Sequence, residues 1–143
     1  MERTLLQTCD GLSTLPEDEL KERLLITLYP DRTRSIEVGG VRYCVIGDDE
    51  GTNIAVNEET KEVYSVDETD TLAPKFINTD VERFLASLHL YLKHCPALGD
   101  ADDEEAACLV QKMRREFCRL DWKAVTKNTY WDGILEQVEA GLL

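Results

Sequence analysis

The stretch Ile36-Glu37-Val38-Gly39-Gly40-Val41-Arg42-Tyr43 constrains this chain most: two alternating runs joined by a pair of glycines. Glycine takes the positive φ angles of a two-residue type I′ or II′ turn without steric cost, so the segment is predicted to be a tight β-hairpin. A two-residue loop sets Val38 opposite Val41 and Ile36 opposite Tyr43, which puts all four side chains on one face. The second strand continues to Ile46, turns through Gly47-Asp48-Asp49-Glu50-Gly51 and resumes as Thr52 to Asn57. A further turn at Glu58 to Lys61 leads into Glu62 to Asp67. The pattern predicts a four-strand antiparallel meander.

Helical signals flank it. Pro16 followed by Glu17, Asp18 and Glu19 suits a helix N-terminus, because proline lacks only an amide that would be unpaired there and the acids oppose the helix dipole. The expected helix runs from Pro16 to about Leu28, buries Leu20, Leu24 and Leu28, and ends at Pro30. Beyond the meander, Thr79 with Glu82 forms a capping box. Val81, Phe84, Leu85, Leu88 and Leu92 then recur at helical spacing in a helix starting at Asp80 and stopping before Pro96. Asp102 to Glu105 load the start of a third helix whose buried side is Ala106, Leu109, Val110, Met113, Phe117 and Leu120. A last helix begins near Thr129, buries Trp131, Ile134, Leu135 and Val138, and is capped at Gly141.

The expected architecture is one α+β domain over residues 1–143: a twisted antiparallel β-meander with an N-terminal helix and three C-terminal helices packed around it. A chain of 143 residues that is 43% hydrophobic can bury a core of that kind. Phe84, Leu88, Val110, Met113, Phe117, Trp131 and Leu135 are expected to meet Val41, Tyr43, Ile54 and Val56 in one core. The pattern leaves Trp122 open between core and surface.

Charge narrows the partners. The formal net charge of −13 repels a polyanion, which argues against direct nucleic-acid binding. Between Asp48 and Asp70, nine acidic residues stand against Lys61 for a net −8, whereas Lys112 to Lys127 is basic. The acidic stretch reads equally as a solvated surface or as a face for a cationic partner. No signal-peptide pattern or apolar run of membrane-spanning length is present, so a soluble cytoplasmic protein is expected. Cys9, Cys44, Cys95, Cys108 and Cys118 form an odd set with no Cys-x-x-Cys pair, which predicts reduced, mostly buried thiols.

Catalytic and metal patterns are weak. His94 adjoins Cys95, but nucleophilic catalysis needs a base oriented by a third group, which sequence neighbours seldom provide. His89 and His94 are five residues apart and fall on different helix faces, unlike a metal pair. Neither Asp48 to Asn53 nor Asp100 to Glu105 has the alternating acids and the sixth-position glycine of a calcium loop. Gly39-Gly40 lacks the following helix and lysine of a phosphate loop. No metal, cofactor or catalytic residue is assigned.

One set of landmarks goes further. Ile54-Ala55-Val56-Asn57 with Glu62-Val63-Tyr64, then Lys75-Phe76-Ile77-Asn78-Thr79 with Phe84-Leu85, then Tyr130-Trp131 with Ile134-Leu135-Glu136, in that order, resemble the SUKH superfamily of bacterial immunity proteins, in particular its fourth subgroup. The likeness covers about two-thirds of the chain, from the strand around Tyr43 through the last helix. Lys61 stands where the family's turn commonly has glycine, and the segment before Ser35 matches poorly. The resemblance implies an α+β fold and a non-enzymatic protein that binds a cognate toxin domain, frequently a nuclease or nucleic-acid deaminase, in a stoichiometric complex. On that implication Asp48, Asp49, Glu50, Asp67, Glu68 and Asp70, which cluster at turns of the meander, are the candidate partner contacts. An adaptor of the same fold with a non-toxin partner is the first alternative, and a small enzyme the second.

Overall fold

The computed structural model describes Leu6, residues 15–31 and residues 33–142; Cys9 lies outside the described residues. The elements follow in the order α1 (Glu17–Leu24), β1 (Thr27–Leu28), β2 (Arg34–Val38), β3 (Val41–Asp48), β4 (Asn53–Asn57), β5 (Val63–Val66), β6 (Lys75–Asn78), α2 (Val81–Asp100), α3 (Asp103–Leu120), a 3-10 turn (Trp122–Val125) and α4 (Tyr130–Glu139). The fold is α+β, with an N-terminal helix, an antiparallel sheet and three C-terminal α-helices.

The Gly39-Gly40 hairpin forms in the expected register, Val38 opposite Val41 and Ile36 opposite Tyr43. Both glycines have positive φ, +59° and +80°, as a type I′ turn requires. The meander is longer than four strands. Lys75–Asn78, outside the meander expected from sequence, pairs with β5 as a fifth strand, and β1 joins β3 beyond the end of β2. Gly47 permits that junction, since a Cβ there would lie 2.5 Å from the Thr27 carbonyl oxygen.

The N-terminal helix is shorter than expected. It ends at Leu24 because Leu25 turns left-handed at φ +59°, and the chain then extends into β1 before reaching Pro30. The helix after β6 is longer than expected. Pro96 sits inside α2, which continues to Asp100. A proline removes one backbone hydrogen bond and crowds the preceding turn. Here the flanking Tyr91, Leu92 and Cys95 are buried and Leu98 packs against the same core, so tertiary burial holds the helical path. The cap of α2 is Asp80, whose carboxylate accepts from the Arg83 amide at 2.8 Å; Thr79 is engaged elsewhere. Asp102 caps α3 and Thr129 caps α4.

The sheet buries apolar side chains on both faces, so the single core expected from sequence divides in two. On the helix side, Ile46, Ile54, Val56, Val63 and Ile77 meet Phe84, Leu88, Val110, Met113, Phe117, Trp131 and Leu135. On the other side Val38, Tyr43, Val45, Ala55 and Val66 form a smaller cluster, with Ile36, Val41 and Tyr64 beside it. Strand alternation requires this separation of Val41 and Tyr43 from Ile54 and Val56. Consecutive Val45 and Ile46 are both buried, one in each cluster, as alternation gives on a sheet covered on both faces; the β3–β4 register shifts by a bulge between Val45 and Gly47. The Tyr43, Tyr64 and Phe76 rings stack edge to face along the second face, and the exposed Arg34–Glu68 ion pair links β2 to the loop after β5.

A buried polar network ties the helices to the sheet. Asp121, at the end of α3, accepts from the Thr79 amide at 2.7 Å, the Thr79 hydroxyl at 2.6 Å and the Asn78 side-chain amide at 3.0 Å. Asn78 also donates to the Ser87 hydroxyl at 3.0 Å, and its oxygen accepts from the Trp131 indole at 3.0 Å. Every member of this network is paired, as burial demands.

Candidate functional site

The six acidic candidates occupy two neighbouring turns at one end of the sheet, the β3–β4 turn and the loop after β5, and differ in what they do there; Glu58, Glu59 and Glu62 of the same acidic stretch lie at the β4–β5 turn, at the opposite end. Asp48 accepts from the Tyr29 hydroxyl and from the Glu50 amide. Asp49 uses Oδ1 to accept from the amides of Gly51 and Thr52 and from the Thr52 hydroxyl, which fixes the turn. Glu50 is exposed and paired with Lys21 of α1 at 2.6 Å. Asp67 is a loop anchor: its two oxygens accept from the amides of Thr69, Thr71 and Leu72 and from the Thr69 hydroxyl. Those bonds favour its ionised form and lower its pKa, the Thr69 hydroxyl contributing most. Glu68 pairs with Arg34, while Asp70 is exposed at φ +56°.

The structure therefore brings Asp49 and Asp67 to the rim of one cleft and directs Glu50, Glu68 and Asp70 to solvent around it. The cleft, about 400 Å³, opens where the sheet and α4 part. Thr52 and Ser65, whose hydroxyls lie 2.6 Å apart, line the sheet side; Tyr130, Gly133 and Ile134 line the helix side; Leu72 and Ala73 border the loop. The α4 residues were not among the sequence candidates. The available signal was Gly133, a glycine in the interior of a helical pattern, where it costs stability relative to alanine.

The other sequence candidates separate cleanly. His94 is buried and its Nε2 lies 2.6 Å from a Glu116 carboxylate oxygen, which lowers the Glu116 pKa. The Cys95 thiol points instead to the Tyr91 carbonyl at 3.4 Å, and burial raises its pKa, so it is the reverse of an activated nucleophile. Cys108 and Cys118 are exposed on α3, contrary to the expectation of mostly buried thiols, because both fall on its solvent side. Trp131 is fully buried and Trp122 is 63% exposed, which settles the position of each indole. The basic stretch is partly committed to the fold: Arg114 pairs with Asp132 at 2.9 Å and Lys123 lies 4.0 Å from Glu62. Among the described residues, no group of three or more His, Cys, Asp or Glu side chains is placed to hold a metal ion, and no helix is long and apolar enough to cross a membrane.

Comparison with known families supplies what geometry alone does not. The family model for SUKH-4 immunity proteins matches residues 15–137. The chain belongs to the SUKH-4 immunity protein family. The match begins at α1, so it takes in the segment before Ser35 in which the sequence likeness was weak. Within the family's fold, Lys61 of the β4–β5 turn adopts φ +70°, the backbone conformation that favours glycine. No match was found among curated proteins or among solved structures.

Proposed function

We propose that this SUKH-4 protein neutralises a cognate toxin domain by forming a stoichiometric 1:1 complex, without turnover, and that its acidic end meets a basic surface of that domain. The observation that carries the reading is the family match over residues 15–137. Nucleases and nucleic-acid deaminases are the favoured toxin classes, because a groove that binds a polyanion is basic and the six carboxylates gathered at that end of the sheet complement it. Asp48, Asp49, Glu50, Asp67, Glu68 and Asp70 are the proposed contacts. Within this set Glu50, Glu68 and Asp70 are exposed and supply long-range attraction, whereas Asp49 and Asp67 shape the turns that present them.

Capture of the partner by tagged protein from its native host, identified by mass spectrometry, tests the complex. Stopped-flow association then tests the face. The variant Glu50→Gln, Glu68→Gln, Asp70→Asn removes no turn-anchoring carboxylate, so its thermal midpoint should stay near the parent's. Its association at low salt should slow about tenfold and lose much of its salt dependence. An unchanged on-rate and salt slope would move the contact surface elsewhere, with Lys112 to Lys127 next in line.

A further inference from the structure

The cleft beside α4 has a chemical inventory that selects its occupant. Asp49 spends only Oδ1 on its own turn, and Oδ2 has no hydrogen-bond partner among the described residues. The Tyr130 hydroxyl likewise has none there, although burial, reinforced by the nearby Asp49 charge, pushes the Tyr130 pKa up and keeps the phenol neutral. Two free acceptors thus face a space bordered by the apolar side chains of Ile134 and Leu72.

Gly133 is the second, independent sign. It lies inside α4, its φ is not in the left-handed region, and a Cβ added to it would meet nothing within 4 Å. Neither backbone conformation nor close packing requires glycine there, and in a helix interior it is about 1 kcal/mol less stable than alanine. The missing side chain keeps the helix wall of the cleft bare.

We propose that this cleft receives one basic side chain, arginine or lysine, from the toxin domain, with its aliphatic stem along Ile134 over the Gly133 backbone and its cationic head on Asp49 Oδ2 and the Tyr130 hydroxyl. The source of the side chain rests on the toxin-binding reading above. An amphipathic stem ending in a charge fits the combination of apolar wall and free acceptors. An anion would face the charges of Asp49 and Asp67, and a purely apolar group would strip water from Asp49 Oδ2 without replacing its hydrogen bonds. Lys75, also in the lining, makes no ion pair among the described residues and opposes a cationic guest, which provides a test of sign.

The test is an NMR titration of the full chain with N-acetyl-arginine amide, and with N-acetyl-glutamate amide as the anionic counterpart. The arginine probe should produce saturable shifts at the Asp49, Gly133 and Ile134 amides, and the glutamate probe should not. Asp49→Asn should weaken the arginine probe about tenfold, the worth of one hydrogen bond to a charged group. Lys75→Glu should tighten it, and Gly133→Leu should abolish it while melting no lower than the parent. No saturable shifts, equal response to the glutamate probe, or weaker arginine binding in Lys75→Glu would overturn the proposal; if Gly133→Leu fails to fold, the other two variants decide. Capture of a toxin whose association is untouched by Asp49→Asn would sink the cleft proposal and leave the immunity reading standing. Arginine binding by a chain that captures no toxin would do the reverse to the immunity reading and remove the proposed source of the guest.

Discussion

Replacing Asp121 by alanine is the sharpest probe of what holds the helices on the sheet. The carboxylate accepts three hydrogen bonds, two from Thr79 and one from Asn78, and Asp121 and Asn78 are both buried. Each donor left unsatisfied costs about 1 to 3 kcal/mol; partial exposure of Thr79 lets water recover some of this, so the expected loss is about 3 to 4 kcal/mol. Against a total of roughly 5 to 15 kcal/mol for a domain, that should lower the melting temperature by about 10 °C. Asp121→Asn should cost nearly as much, since its amide would turn a donor toward donors. Urea denaturation followed by emission of buried Trp131, itself bonded to Asn78, measures the effect. The double variant Asp121→Ala, Asn78→Ala should lose less than the sum of the single losses, because both changes break one network. A single Asp121→Ala variant within about 0.5 kcal/mol of the parent would refute the assignment of the network as a tertiary clamp.

Lys61→Gly should raise stability by about 0.5 to 1 kcal/mol in the same denaturation assay, because it relieves a positive φ of 70° at an exposed turn. Phe84→Ala and Phe117→Ala, each removing a fully buried ring, should cost about 3 to 5 kcal/mol, and a parent-like melt would place that ring outside the core. The His94 hydrogen bond lowers the Glu116 pKa below its ordinary 4.5, so its stabilising contribution is present above that value and lost as pH falls through the lower folded pKa. Glu116→Gln should therefore remove part of the acid-limb slope of stability measured below pH 4.5, and an unaltered slope would discount the pair.

Local chemistry was enough to determine much of this protein from its sequence. The Gly39-Gly40 turn admits one register, the acids of Asp102 to Glu105 open a helix that buries Val110, Met113 and Phe117 and leaves Ala106, Leu109 and Leu120 half-buried, and the ordered landmarks from Ile54 to Glu136 identify the family. The tertiary structure decided what depends on partners remote in the chain. Pro96 remains helical because residues on both sides of it are buried, and Thr79 leaves its capping box for a carboxylate 42 residues away. Lys75–Asn78 becomes a strand because β5 offers it an edge, which no pattern within four residues announces. The acidic segment was visible as composition, but only the fold separates carboxylates that anchor turns from those that face outward. The cleft has the same origin: Asp49 and Gly133 lie far apart in sequence and line one space because the sheet end and α4 part there, a geometry set by packing and carried by neither residue alone.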